Sequence, residues 1–282
     1  KDVIGGRCLN VACIPAKAVL RTADVLSEVR EADEFGITVG EPTVDFGAVT
    51  ERRLKVIKTL TGGVSGLFKK NGIDYIDGFG ALTPEGNVKI GGNFDGTEIQ
   101  AGKVILATGS VGRPIPGTQF GGRVIGTERA WALDAIPAKL AVVGAGASGV
   151  EIASAYARLG SEVMLFEGLD RVVPSEDPDI SKLAERGFKK QGIKVHTSTF
   201  VENVQSTDSG VTFTYGGESG EADYLVIAAG RGPDVEGLGL DEAGVKLAEN
   251  GLIEVDGAQR TSMENVYAIG DLIDTPQLAH VG

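Results

Sequence analysis

Two cysteines, Cys8 and Cys13, stand five positions apart in the segment GGRCLNVACIPAK, and their type and spacing could support redox chemistry. In a regular helix, residues five apart have Cα atoms roughly 9 Å apart, beyond the ~7 Å limit for a disulfide. A bridge would therefore need a bent backbone, for which Pro15 supplies a reason. A strained, accessible disulfide is readily reduced. The residues alone leave open two other interpretations, unpaired core cysteines and half of a zinc site.

A glycine pattern formed by Gly144, Gly146 and Gly149 follows the apolar segment LAVV and opens a helical pattern. In this setting glycine permits a tight turn, close approach of backbone to a pyrophosphate, and packing of helix on strand. Glu167 ends the next strand, eighteen residues after Gly149. A carboxylate there can accept hydrogen bonds from ribose hydroxyls and would repel a 2′-phosphate. The pattern predicts an NAD site that prefers NAD over NADP.

Three further polar residues have ordinary explanations when each is taken alone. Glu151 lies near the start of the predicted helix, where the helix dipole favours an acid. Lys17 follows Cys13 by four positions and would ordinarily be a solvated lysine. Asp271 follows a glycine and could either cap a turn or accept a bond from a ligand hydroxyl.

Composition and charge exclude several classes of function for this 282-residue chain. The net charge of −12 disfavours nucleic acid and anionic lipid as partners. No apolar run is long enough to cross a bilayer, and the first residues lack the features of a secretory signal. His196 and His280 are the only histidines and lie far apart in sequence, which disfavours zinc. We expect a cytoplasmic protein with no membrane partner and no metal site.

Short Val/Ile/Ala runs alternate with helical stretches, and 42 glycines mark the changes, which predicts an α/β architecture. The pattern predicts a helix from about residue 16 to 33, ended by Gly36. It predicts a second helix from about Phe46 to Lys70, with one apolar stripe formed by Val56, Leu60, Val64, Leu67 and Phe68. A small β unit is predicted at 73–112, and a linker with one short helix near Trp131 at 113–137. A βαβ unit follows from about 139, and strands continue to Gly230 and, after 234, to Asp271.

In order and spacing, these segments resemble the flavoprotein disulfide reductases (class I pyridine nucleotide-disulfide oxidoreductases), and within that family the branch that oxidises dihydrolipoamide. GGRCLNVACIPAK is similar to the family's redox-disulfide helix, and GAGASGVE to its NAD turn. KVILATG, AAGRGPD, and NVYAIGD with QLAH are similar to its flavin-sheet return, its exit from the NAD domain and its second flavin motif. The resemblance covers nearly the whole chain.

The resemblance implies two Rossmann-like, three-layer ββα nucleotide-binding domains. Residues 1–112 would be the first part of an FAD-binding domain, 113–232 an NAD-binding domain, and 233–282 the return segment of the FAD-binding domain. The family's first strand with its own GxGxxG and its C-terminal dimerisation domain are not found in the sequence. We therefore expect a fragment of a longer homodimeric protein, which alone binds FAD poorly and turns over little or nothing.

The resemblance also implies roles for individual residues. Cys8 would exchange with the dithiol substrate, Cys13 would face the flavin as a thiolate, and Lys17 would lie near the flavin and pair with Glu151. The residues implied to contact FAD are Lys17, Gly80, Thr108, Gly109, Asp271, Gln277, Leu278, Ala279 and His280. The residues implied to line the NAD site are Gly144, Ala145, Gly146, Ala147, Ser148, Gly149, Val150, Glu151, Glu167, Val201 and Gly230.

The activity implied is an electron relay in which dihydrolipoamide, on a lipoyl-bearing protein, reduces a Cys8–Cys13 disulfide and electrons pass through FAD to NAD+. Such a protein would act in cell redox homeostasis. Ala147 stands where the family often has a tyrosine, and Ala12 stands in place of a glycine, so the resemblance identifies the chemistry more closely than the substrate. The alternatives are another NAD(P)H-dependent disulfide reductase, a mercuric reductase, and a non-catalytic NAD-linked redox sensor.

Overall fold

The computed structural model describes residues 3–91 and 96–282, so the part of the predicted β unit at 92–95 lies outside the described residues. The helices are α1 (Gly6–Asn10), α2 (Cys13–Arg30), α3 (Phe46–Lys70), α4 (Thr127–Ala130), α5 (Ala147–Leu159) and α6 (Pro178–Lys190). Short 3₁₀ turns occupy Ala32–Phe35 and Gly270–Leu272. The mixture of helices with parallel and antiparallel strands confirms the α/β class.

The strands β1–β5 are Phe79–Leu82, Val88–Gly91, Thr97–Ile99, Val104–Leu106 and Ser110–Gly112. The strands β6–β10 are Val124–Gly126, Lys139–Val143, Glu162–Phe166, Lys194–His196 and Val201–Ser206. The strands β11–β15 are Val211–Tyr215, Glu218–Ala222, Tyr224–Ile227, Arg231–Pro233 and Val266–Ala268.

The chain divides into two compact units. The cysteine-bearing unit comprises residues 8–60 and 112–230, and the β4–β15 unit comprises the described residues of 1–7, 61–111 and 231–282. The assignment of domains to FAD and NAD stays a prediction.

A five-stranded parallel sheet, in the order β6-β13-β7-β8-β9, is the centre of the cysteine-bearing unit. The run LAVV in β7 is buried on both faces, as expected for a parallel strand covered on both sides. Apolar residues of α2, α3 and α5 form a core with one set of strand side chains. The antiparallel sheet β10-β11-β12 packs its apolar face against the other set. The unit therefore has three layers, helices, parallel sheet and antiparallel sheet.

The β4–β15 unit contains a parallel pair, β4 with β15, and the antiparallel sheet β1-β2-β3. Its core includes Leu82, Leu106, Leu238, Val266 and Leu272. Because β4 and β15 are parallel neighbours, the segments after Leu106 and after Ala268 leave the sheet at the same edge. The predicted flavin residues Thr108 and Gly109 follow β4 in the sequence, and Asp271 follows β15, so all three come after strands that end at this edge.

The α3 helix begins at Phe46 and ends at Lys70, as the periodicity predicted. The Asp45 carboxylate accepts a hydrogen bond from the Ala48 N–H at 3.1 Å and caps the first turn. The buried side chains of α3 are Phe46, Val49 and Arg53, whereas Leu60 and Leu67 on the predicted stripe are 39% and 57% exposed. The predicted apolar stripe is therefore not the buried face of α3.

The interpretation of 113–137 as a linker was wrong for one segment. Val124–Gly126 forms β6, which pairs in parallel with β13 at the edge of the five-stranded sheet. A strand of three residues that ends in a glycine is too short to show a periodicity, so pairing with β13 decides the conformation. Among the described residues, no helix is both long and apolar enough to span a membrane.

Candidate functional site

The two cysteines lie on either side of a break between helices. α1 ends at Asn10 and α2 begins at Cys13, and Ala12 between them has φ −126° and ψ −99°. The backbone is thus bent where the spacing required it. Pro15 lies in the first turn of α2, where its missing N–H costs no helical hydrogen bond. Both cysteines are partly exposed and both are thiols, which is the reduced state of the pair.

The thiol of Cys8 contacts its partner closely enough to form a hydrogen bond with Cys13. Burial, followed by that hydrogen bond, raises the pKa of Cys8 to about 11. The Cys13 backbone N–H and the Lys17 ammonium act in the opposite direction on this pKa. Cys8 therefore holds its proton at neutral pH.

Lys17 and Glu151 form an ion pair across α2 and α5. Lys17 Nζ lies 2.6 Å from Glu151 Oε1, with side chains 60% and 32% exposed. A pair this exposed contributes on the order of 0–1 kcal/mol to folding. The ion pair therefore orients the ammonium more than it stabilises the fold.

The packing of α2 on α5 fixes the position of Lys17. Ala16, Val19 and Ala23 of α2 belong to the same buried core as Ile152 and Tyr156 of α5. At the far end of the helix pair, Arg158 forms an ion pair with Asp24, and Arg30 Nη1 donates to the Arg158 carbonyl at 2.8 Å. The core contacts and these polar contacts fix α2 relative to α5, and so fix the backbone position from which the Lys17 side chain extends.

Each glycine of the predicted NAD turn meets a different physical demand. Gly144 has φ +100°, and a Cβ there would lie 2.6 Å from the Ala228 carbonyl oxygen. A Cβ on Gly149 would lie 1.8 Å from the Gly144 carbonyl oxygen, so α5 packs directly on the turn. Gly146 has open space where a Cβ would be. Backbone at the start of a helix, next to open space, fits a pyrophosphate.

Glu167 lies beside this turn at the end of β8. Its Oε2 accepts a hydrogen bond from the Ala145 N–H at 2.7 Å, and its Oε1 accepts one from the Leu169 N–H at 2.9 Å. A carboxylate has about four acceptor positions, so two remain for ribose hydroxyls. The two backbone hydrogen bonds hold the Glu167 carboxylate next to the Gly144–Gly149 turn.

Most of the other predicted NAD residues lie in or next to the same turn, whereas Val201 lies in the antiparallel sheet. Ala147 to Glu151 form the first turns of α5. Gly230 comes two residues after Ala228, whose carbonyl abuts Gly144. Val201 begins β10, where it pairs with Tyr215 of β11, and its side chain is buried.

In the β4–β15 unit, three of the predicted flavin residues are held close to one edge of the parallel pair. Thr108 Oγ1 donates to the Asp234 carbonyl at 2.7 Å, and the Asp234 N–H donates to the Gly109 carbonyl at 2.9 Å. Asp271 lies in the 3₁₀ turn after β15. These residues can present a carboxylate and backbone groups to a ligand.

Ser110 and Arg231 join this group, although the sequence analysis did not single them out. Ser110 Oγ donates to Asp271 Oδ2 and accepts a hydrogen bond from Arg231 Nε at 2.8 Å. Ser110 is 8% exposed, so these bonds replace hydration that the hydroxyl has lost. The signal available was a serine directly after ATG and an arginine directly after AAG, next to residues already chosen.

The other predicted flavin residues of this unit are Gly80 and the segment 277–280. Gly80 lies within β1, opposite Ile90 of β2. Gln277 to His280 form an exposed irregular segment, although a Cβ built on Gly270 would lie 3.9 Å from Gly282 Cα. The chain therefore returns toward the 3₁₀ turn that holds Asp271.

Comparison with known proteins gives a consistent family. The family model described as "Pyridine nucleotide-disulphide oxidoreductase" matches residues 2–282. Proteins named dihydrolipoyl dehydrogenase from Bacillus subtilis and Chlamydia pneumoniae are 36% and 37% identical to the chain, over 99% and 100% of its length. The chain spans 61% of the length of each of these relatives.

Two solved structures show the same fold. LpdA from Mycobacterium tuberculosis has a TM-score of 0.90 and 27% identity, covering 99% of this chain and 62% of that one. The HOCl-induced flavoprotein disulfide reductase RclA from Escherichia coli has a TM-score of 0.83 and 27% identity, covering 98% of this chain and 60% of that one.

Proposed function

Because the chain belongs to the pyridine nucleotide-disulphide oxidoreductase family, we propose that it is part of a flavin-dependent enzyme that oxidises dihydrolipoamide with NAD+. Relatives 36% to 38% identical to it carry the name dihydrolipoyl dehydrogenase. The observation that carries the proposal is the contact between the Cys8 and Cys13 thiols across a helix break. Two thiols that already touch can form a disulfide without unfolding either helix.

The dithiol step uses only residues of this chain and the substrate. A substrate thiolate attacks Cys8 sulfur, the Cys8–Cys13 bond breaks, and Cys13 leaves as a thiolate. The second substrate sulfur, after losing its proton, attacks the first substrate sulfur and breaks the bond to Cys8. Cys8 takes up one proton, and the other is released to solvent. The substrate loses two electrons and becomes a cyclic disulfide, and the cysteine pair gains them.

The environment favours this division of charge between the two sulfurs. Cys8 has its pKa raised to about 11 and is therefore the sulfur that keeps a proton. Cys13 is the first residue of α2, where the helix dipole favours negative charge. Lys17, oriented by Glu151, adds a positive charge one turn further along α2.

The residues present fit the two cofactors that the family implies. Asp271, Thr108 and Gly109 would hold FAD, and the Gly144–Gly149 turn with Glu167 would hold NAD. When bound, FAD would accept the two electrons from the cysteine pair and transfer them to NAD+. A lipoyl-bearing protein as partner, a homodimer for the complete protein and a cytoplasmic location belong to the same proposal.

The proposal is tested by thiol–disulfide exchange on the chain itself. The chain is oxidised with diamide, freed of oxidant, and mixed with dihydrolipoamide. Free thiols are then counted by iodoacetamide labelling and intact mass. We expect no labelled thiol after oxidation, two after dihydrolipoamide, and lipoamide formation in equal amount. In Cys8→Ser and Cys13→Ser the remaining thiol stays free after oxidation and no lipoamide forms.

Two free thiols after oxidation, or a disulfide that dihydrolipoamide does not reduce, would contradict the proposal. In the complete protein with FAD, dihydrolipoamide should support NADH formation. A complete protein whose disulfide is reduced by NADH but that does not oxidise dithiols would instead be a redox sensor.

A further inference from the structure

An exposed aromatic ring lies beside Glu167 in the cysteine-bearing unit. Phe200 is 72% exposed, yet its ring packs directly on the backbone of Gly168. A Cβ built on Gly168 would lie 2.7 Å from Phe200 Cε1 and 3.1 Å from Cζ. Only glycine at position 168 leaves room for the ring in this place. The ring therefore lies next to the residue that follows Glu167.

The position of Phe200 is fixed by backbone hydrogen bonds on its N-terminal side. The Glu167 N–H donates to the His196 carbonyl at 2.8 Å, and the Thr199 N–H donates to the Glu167 carbonyl at 2.9 Å. The Ser198 N–H donates to the Leu169 carbonyl at 2.7 Å. The segment before Phe200 is thus bonded to both sides of Gly168.

On its C-terminal side, Phe200 is followed by Val201, which is buried at the start of β10. A ring held between a hydrogen-bonded segment and a buried strand residue is not exposed through disorder. Leu169, 57% exposed, adds a second apolar side chain next to Gly168. Phe200 and Leu169 thus place two exposed apolar side chains beside Gly168, the residue after Glu167.

We propose that the Phe200 ring stacks on the adenine of NAD and contributes to the choice of an adenine dinucleotide. The inference rests on the proposed NAD site, because Glu167 would bind the hydroxyls of the ribose to which adenine is attached. A flat, uncharged base next to that ribose would meet the apolar surface of Phe200. Aromatic side chains stack on bases through their π faces.

Gly168 has a defined part in this arrangement. A methyl group at 168 would collide with the ring and force it away from the Glu167 backbone. Gly168 is therefore a positioning residue for Phe200, and Gly168→Ala should weaken adenine binding although position 168 itself makes no contact with the base.

The test measures equilibrium binding of two probes to the chain, with the fluorescence of the reduced nicotinamide as the signal. NADH carries adenine, and reduced nicotinamide mononucleotide does not. We expect Phe200→Ala and Gly168→Ala to weaken NADH binding about tenfold and to leave binding of the mononucleotide unchanged. Phe200→Tyr should bind NADH within about twofold of the unmodified chain, since it keeps the ring. Phe35→Ala, which removes a 78% exposed phenylalanine elsewhere in the same unit, is the matched control and should change neither affinity.

A second readout uses Phe200→Trp, whose emission should change on addition of AMP, against the constant emission of the buried Trp131. If the unmodified chain binds NADH and Phe200→Ala binds it equally well, the inference is wrong and the proposed function stands. Equal loss of NADH and mononucleotide binding would also overturn it, because the effect would then not concern adenine. If the unmodified chain binds no NADH, the proposed NAD site fails together with the inference.

Discussion

Gly146 and Gly149 are three residues apart in one turn, and the same substitution should affect them in opposite ways. Gly149→Ala should destabilise the cysteine-bearing unit, because its Cβ would lie 1.8 Å from the Gly144 carbonyl oxygen. Gly146→Ala should leave the fold intact, because nothing lies within 4 Å of its Cβ and its φ is −71°. The methyl group at 146 would instead occupy the space that a pyrophosphate needs.

The magnitudes follow from these distances. Relieving a 1.8 Å contact requires α5 to move by more than an ångström from the turn on which it packs. Overpacking typically costs about 1–3 kcal/mol, and we expect about 3 kcal/mol here because the obstacle is backbone. With a urea dependence of ~2 kcal/mol per molar, the unfolding midpoint should fall by about 1.5 M. Gly146→Ala replaces glycine at an N-cap and should cost roughly 0.5–1 kcal/mol.

Urea unfolding followed by circular dichroism measures the stability, and NADH titration measures binding. Gly187→Ala in α6 is the matched control, because its Cβ meets nothing within 4 Å inside a helix. It should stabilise the chain by roughly 0.5–1 kcal/mol and leave NADH binding unchanged. Gly146→Ala should lose at least about tenfold in NADH affinity. Unchanged stability of Gly149→Ala, or unchanged NADH binding by Gly146→Ala, would refute the division of roles between these glycines.

Two further outcomes follow from the contacts of Cys8 and Ser110. The rate of Cys8 alkylation, measured by peptide mass spectrometry, should rise with pH toward a midpoint near 11, because the pKa of Cys8 is raised and only the thiolate reacts. Lys17→Met should move the midpoint higher, because the Lys17 ammonium lowers this pKa. A midpoint near pH 9 would contradict the burial argument. Ser110→Ala should lower the free energy of unfolding by about 1–3 kcal/mol, because Asp271 and Arg231, both half-buried, lose their shared hydrogen-bond partner. The exposed Ser209→Ala should change it by less than about 0.5 kcal/mol in the same urea assay.

Local features of the chain were predictable from sequence. The α3 helix from Phe46 to Lys70 and the β7–α5–β8 unit each carry their periodicity within one contiguous segment. The tight turn at Gly144 and the close packing of α5 at Gly149 were also predictable, because a strand before and a helix after them leave few conformations for the turn. The role of Gly146 toward a pyrophosphate stays a prediction. Residues close in sequence determine each other's geometry in these cases.

Contacts between distant segments were not predictable from pattern. Lys17 and Glu151 are 134 positions apart, and only a family resemblance connected them before the ion pair was seen. Ser110 and Asp271 are 161 positions apart, and no resemblance singled out Ser110. The strand β6 is decided by its pairing with β13, about a hundred residues later. Such contacts depend on how helices and sheets pack, which no local periodicity reports.

The break between helices at Val11 and Ala12 separates the Cys8 sulfur from the backbone hydrogen bonds of α2. Cys8 belongs to a five-residue helix, whereas the backbone ladder of α2 starts with the Ala16 N–H bonded to the Ala12 carbonyl at 2.9 Å. A bond between the two sulfurs can therefore form or break without breaking a backbone hydrogen bond of α2. The oxidised and reduced forms can share the same α2 conformation, so the redox change is confined to the two thiols.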